Sequence, residues 1–165
     1  MHENPGCGAY IFISYAHEDE DLKKELDKYL KVLKRSSKVQ VWHDRQLIAG
    51  EEWDQTIMSE LNKANIILLL ISVDFNASDF IWDKELASAM KRHEAGTAHV
   101  VPIILRKCQW SSLPYAKLQA LPRNAKPVAE YSSRDDALTE IAVGIEKLVD
   151  HVNEQIRSRT VGNTT

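Results

Sequence analysis

Asn65-Ile-Ile-Leu-Leu-Leu-Ile-Ser72 is apolar at every position between its two ends. A strand with one solvated face alternates apolar and polar residues, whereas a strand covered on both faces reads apolar throughout, as in a parallel sheet sandwiched by helices. Ile66 to Ile71 is also far too short to span a bilayer, which takes about 20 residues. The segment is therefore expected to be a central strand, and the rest of the chain can be read outward from it. Upstream, Ala9-Tyr-Ile-Phe-Ile-Ser14 opens after Pro5 and two glycines as a strand does. From Asp19 the positions Leu22, Leu26, Leu30 and Leu33 recur at helical spacing, with acidic residues at the start, where the helix dipole favours them. Val39-Gln-Val-Trp-His43 alternates like a strand, and Glu51 to Lys63 returns to helical period through Trp53, Ile57 and Leu61.

Downstream, Asp79 to His93 reads as a helix and His99-Val-Val-Pro-Ile-Ile-Leu105 as a strand that Pro102 pushes toward a sheet edge. Lys107 to Arg123 carries two prolines and no period, so it is expected to be an irregular surface connection. A short strand is expected around Pro127 to Glu130. A helix from Arg134 to about Ile156 closes the pattern, with Leu138, Ile141, Ile145 and Val149 on one face. Five alternations of strand and helix specify an α/β fold, flavodoxin-like, with a central parallel five-stranded sheet and helices on both faces. Ligands in such sheets collect at the carboxyl ends of the strands. That directs attention to Tyr15 to Asp19, His43 to Gly50 and Ser72 to Asp79. The 165 residues suit one domain, expected over 9–152, with an N-terminal extension over 1–8 and a polar tail or linker start over 153–165.

Composition removes several classes of function. With 44% hydrophobic and 27% charged residues the chain is an ordinary globular protein. A formal net charge of -3 and the absence of a basic face argue against nucleic acid, since the cations of Lys31 to Lys38 alternate with apolar residues like a solvated helix face. Two distant cysteines, Cys7 and Cys108, give neither a disulfide framework nor a zinc site, and nothing at the N-terminus reads as a secretion signal. The expected setting is a reducing cytoplasm, with no membrane contact. The six histidines lack metal-ligand spacing, so no metal is expected. Ser14-Tyr-Ala-His-Glu18 contains no glycine, which excludes both the dinucleotide fingerprint and the nucleotide-triphosphate loop. Cys108 reads as inert rather than as a nucleophile paired with His99.

Phe12-Ile-Ser-Tyr15 and Val41-Trp-His-Asp-Arg-Gln-Leu-Ile-Ala-Gly50 resemble the first two sequence boxes of Toll/interleukin receptor (TIR) domains. Ile66 to Ser72 followed by Ser78-Asp-Phe-Ile-Trp-Asp-Lys-Glu85 resembles that family's central strand and the helix carrying its acidic residue. Arg92-His-Glu-Ala-Gly96 and Lys117-Leu-Gln-Ala-Leu-Pro122 extend the likeness to bacterial members, over about Ala9 to His151. Members act as NAD+-consuming enzymes or as self-associating signalling adaptors, and a shared fold does not choose between them.

The resemblance makes Glu85 the catalytic glutamate, although on a helix pattern alone it would read as an exposed surface residue. It implies that Tyr15 and His17 contact the dinucleotide, with Ala16 and His17 standing where several relatives have arginines. It implies that Asp44 to Trp53 is a mobile loop that gates the site and meets other subunits. Asp44, Gly50 and Trp53 thereby join the substrate-binding set, with Ser72 at the end of the central strand. Trp82 lies three residues before Glu85, on the same face of an ordinary helix, where its indole would stack on nicotinamide. Many enzymatic members place that tryptophan four residues before the glutamate, so core packing is the other reading of Trp82.

The expected function is an NAD+ glycohydrolase releasing nicotinamide and giving ADP-ribose or a cyclic ADP-ribose. NAD+ is then substrate and no cofactor is expected. The resemblance implies that self-association switches the activity on, that a sensor domain is joined to it in the full-length chain, and that the setting is bacterial antiviral or stress signalling. The alternative is a TIR–TIR adaptor without turnover. A receiver domain of the response-regulator kind would need a phosphoacceptor at the end of the central strand, and Asp74 stands past Ser72 and Val73.

Overall fold

The computed structural model of the chain describes residues 8–36, 38–42 and 53–163. Four strands, β1 (Ala9–Ser14), β2 (Val39–Trp42), β3 (Ile66–Ile71) and β4 (His99–Ile104), form one sheet in the order β2-β1-β3-β4. All three pairings are parallel, with Phe12 opposite both Trp42 and Ile67, and Leu69 opposite Pro102. The helices are α1 (Glu20–Arg35), α2 (Trp53–Lys63), α3 (Val73–Ala77), α4 (Ala87–Glu94) and α5 (Arg134–Asn163). A π-helical turn, Ile81–Leu86, runs directly into α4.

β3 behaves as its composition requires. All six residues are fully buried, and they divide by parity between two apolar layers. Ile66, Leu68 and Leu70 pack with Leu26, Leu30 and Leu33 of α1 and with Leu138, Ile141, Ile145 and Val149 of α5. Ile67, Leu69 and Ile71 pack with Ile57 and Leu61 of α2, Phe75 of α3, and Ala89 and Met90 of α4. Each such aliphatic side chain contributes about 1.5–3 kcal/mol by leaving water, so both faces of β3 are strongly specified. Pro102 sits in the outermost strand, where a missing N–H is least costly.

The expected fifth strand is absent. Val128–Glu130 forms a 3-10 turn closed by Glu130 N–H to Pro127 O (3.0 Å) and Tyr131 N–H to Val128 O (3.1 Å). Its link to the sheet is Ala129 N–H donating to Leu105 O at 3.0 Å. A segment that opens on proline lacks a ladder donor and bends instead. The outer side of β4 is met by Leu121, which donates to Pro102 O (2.9 Å) and accepts from Ile104 N–H (2.8 Å). The connection after β4 is therefore not wholly superficial. Tyr115 within it is completely buried and donates to Asn76 Oδ1 at 2.6 Å. Among the described residues no helix is long and apolar enough to cross a membrane.

Candidate active site

The carboxyl ends of β1 and β2 open into a cavity of about 360 Å³, inside the usual range for small-molecule sites. β1 and the turn after it contribute Phe12, Tyr15 and His17. β2 contributes Trp42, α3 contributes Asp74, and the π turn contributes Ile81 and Glu85. The aromatic and carboxylate groups thus come from four separate elements, brought together because the strands end on one level.

Glu85 is not the exposed helix residue its local pattern suggests. It is 7% exposed, and its carboxylate accepts a hydrogen bond from Ser14 Oγ, itself 1% exposed at the end of β1. Burial of a carboxylate is costly unless donors are supplied, and the serine supplies one. The π turn explains which neighbours share its face. Bonding from i to i+5 places more residues in each turn than an α-helix does, so residues three apart no longer stack. Ile81, four residues before Glu85, lines the cavity with it. Trp82 does not line it. Its ring packs against the apolar layer of α2 and α4, and its Nε1 has no hydrogen-bond partner among the described residues.

Of the other expected substrate contacts, Tyr15 and His17 lie at the cavity, His17 on its exposed rim. Ser72 is fully buried outside the lining. Its Oγ accepts from Phe75 N–H at 3.1 Å, capping α3, and donates to Asp19 Oδ2. Asp44 and Gly50 fall outside the described residues, as does the side chain of Trp53. Cys108 and His99 are not partners. The thiol lies 3.7 Å from Asn76 Nδ2, with its pKa raised chiefly by burial, while the His99 ring packs edge-on against His151.

Sequence reasoning overlooked an ion network behind the cavity. Arg106, just past β4, donates to Asp19 Oδ1 through Nε (3.1 Å) and Nη2 (2.9 Å), and Nη2 reaches Asp74 Oδ2 at 2.6 Å. Hydrogen bonding to Asp74, then to Asp19, holds the guanidinium above its ordinary pKa against the opposing effect of burial. The network ties the turn after β1, the start of α3 and the end of β4 together. It also engages Asp19 and Asp74 internally rather than leaving an acidic pocket of the receiver type. No signal in the sequence marks Arg106. Ser14 had one, a small aliphatic hydroxyl closing a strand of apolar and aromatic residues.

Residues 11–141 match the sequence profile described as TIR domain. The chain is 43% identical over 142 residues to the uncharacterized protein y4lF of Sinorhizobium fredii. That alignment takes in 86% of the chain and 44% of the relative, so the chain spans less than half the length of the curated relative it matches. With a parallel sheet wrapped by helices and a profile match over most of its length, the chain belongs to the TIR domain family.

Proposed function

We propose that the chain cleaves NAD+ between nicotinamide and ribose, with Glu85 as the catalytic carboxylate. One observation carries this reading: Glu85 is a buried carboxylate, hydrogen-bonded by Ser14, in the wall of a cavity at the carboxyl ends of the strands. The chemistry suits a single carboxylate. As the glycosidic C–N bond breaks, its electron pair passes to the ring nitrogen and neutralises the pyridinium, so nicotinamide departs without a general acid, unlike an alkoxide leaving group. Positive charge develops on the ribose, and Glu85 stabilises it while engaging the ribose hydroxyls. Water then adds to the ribose carbon and releases a proton, giving ADP-ribose. Attack by an adenine nitrogen instead gives a cyclic product.

In this reading Tyr15 and His17 contact the dinucleotide, and Asp44 to Trp53 closes the site when TIR domains meet. Self-association then activates cleavage, within cytoplasmic antiviral or stress signalling driven by a joined sensor domain. The test is to incubate the chain with NAD+ over a wide dilution series and resolve the products. Nicotinamide release whose rate per molecule rises with concentration is expected. No release at any concentration would leave the adaptor reading, in which the same fold only recruits other TIR domains.

A further inference from the structure

Lys23 is 3% exposed, whereas Lys24, Lys28, Lys31 and Lys34 of the same helix face water. Its place is unfavourable for a cation twice over. Burial strips the ammonium of water, and the fourth residue of α1 lies near the positive end of the helix dipole, where the carboxylates of Glu20 and Asp21 are the favoured kind. Two partners offset these costs. Asp27 Oδ2, one turn along α1, lies 2.9 Å from Nζ, and Nζ stands 5.3 Å from the centre of the Tyr15 ring, within the range of a cation–π contact. An apolar residue at position 23 would fill the same space without either cost. Tyr15 gives the arrangement a use. It stands one residue past the end of β1, where the strand ladder no longer holds it and side-chain contacts must. It packs against the layer of α1 and α5, and it lines the cavity that holds Glu85.

We propose that Lys23 is a positioning residue: its ammonium, steered by Asp27, holds the Tyr15 ring in the orientation that forms the cavity wall. The inference rests on the cavity being the site of NAD+ cleavage, and it adds to that reading a residue that acts only through another. Lys23 is not among the described residues that line the cavity. Its loss is therefore felt by substrate through Tyr15 and not through a contact of its own.

The test follows Tyr15 both directly and through substrate. The whole chain is labelled with fluorotyrosine, and the Tyr15 fluorine resonance is identified by its absence from Tyr15→Phe. In Lys23→Met the solvent isotope shift of that resonance between water and heavy water is expected to increase, reporting a ring loosened into solvent. Lys23→Arg is expected to keep the parent value, because a guanidinium also stacks on an aromatic face. For NAD+, Lys23→Met is expected to raise KM about fivefold with kcat within about twofold, and Lys23→Arg to restore it. Once Tyr15 is alanine, Lys23→Met should add nothing further. Should Lys23→Met fold poorly with the Asp27 carboxylate left behind, Lys23→Met combined with Asp27→Asn carries the same measurements. An unchanged Tyr15 resonance in the methionine variant, or a KM rise that persists in the Tyr15→Ala background, would overturn the proposal. A loosened Tyr15 in a chain that cleaves no NAD+ would uphold the positioning of the ring and overturn the glycohydrolase reading. Cleavage with an unmoved ring and an unchanged KM in Lys23→Met would do the reverse.

Discussion

The two ends of the sheet use polar side chains in opposite ways. At the amino end several of them answer the backbone. Asn65 Oδ1 accepts from Tyr10 N–H (2.8 Å), while Asn153 accepts from Ala9 N–H (2.8 Å) and donates to Lys38 O (3.0 Å). Arg92 closes the exit of α2 by donating to Leu61 O (2.8 Å) and Ala64 O (2.6 Å). These groups satisfy donors and acceptors that any strand or helix terminus leaves open, so folding alone accounts for them. At the carboxyl end lie the buried polar residues Ser14, Asp19, Lys23, Ser72 and Glu85. There the side chains bond chiefly to one another: Ser14 to Glu85, Ser72 to Asp19, Arg106 to Asp19 and Asp74. Burying such groups carries a desolvation cost that no backbone requirement explains. The difference marks the carboxyl end as the place where the fold serves chemistry.

Three substitutions sharpen or break this contrast. The largest loss of stability is expected from Asp19→Ala, about 3 kcal/mol by denaturant unfolding, because Ser72 loses its acceptor and Arg106 keeps only Asp74. A loss no greater than that of an amino-end variant would mean the network is surface decoration. Asn153→Ala comes next, at about 1–2 kcal/mol, since it strands one donor and one acceptor of the backbone. Its NAD+ turnover per folded molecule is expected to stay within about twofold of the parent, and a larger fall would dissolve the division between the ends. Ser14→Ala is expected to cost about 1 kcal/mol, because Glu85 loses a donor but faces the cavity, and turnover should drop about tenfold as the carboxylate loses that orienting contact. Unaltered turnover there would show that the serine only fills space.

The sequence made the layers legible because β3 is apolar without interruption and the helices repeat leucines at fixed spacing, signals that depend on solvent exposure alone. The fifth strand failed because Val128 carries strand propensity, while Pro127 and the 3-10 turn it opens decide the outcome. At the site, Tyr15, His17 and Glu85 were reachable through motif likeness. The partnership of Ser14 with Glu85 spans 71 residues, and that of Arg106 with Asp19 spans 87. No local pattern encodes pairs brought together only by strand order. The pairing of Trp82 with Glu85 misled for a different reason, since the i, i+3 rule assumes α-helical winding and the chain winds as a π turn there.

The central claim is that Glu85 acts as a charged group and not as part of the packing. Glutamine has nearly the same shape, and its side-chain carbonyl can still accept from Ser14. Glu85→Gln should therefore unfold within about 1 kcal/mol of the parent. The measurement is nicotinamide release from NAD+ by parent and variant side by side, at matched high concentration and with melting recorded on the same samples. The account predicts release by the parent and a fall of about 10²–10³-fold or more in the folded variant. Equal release by the two proteins would contradict it.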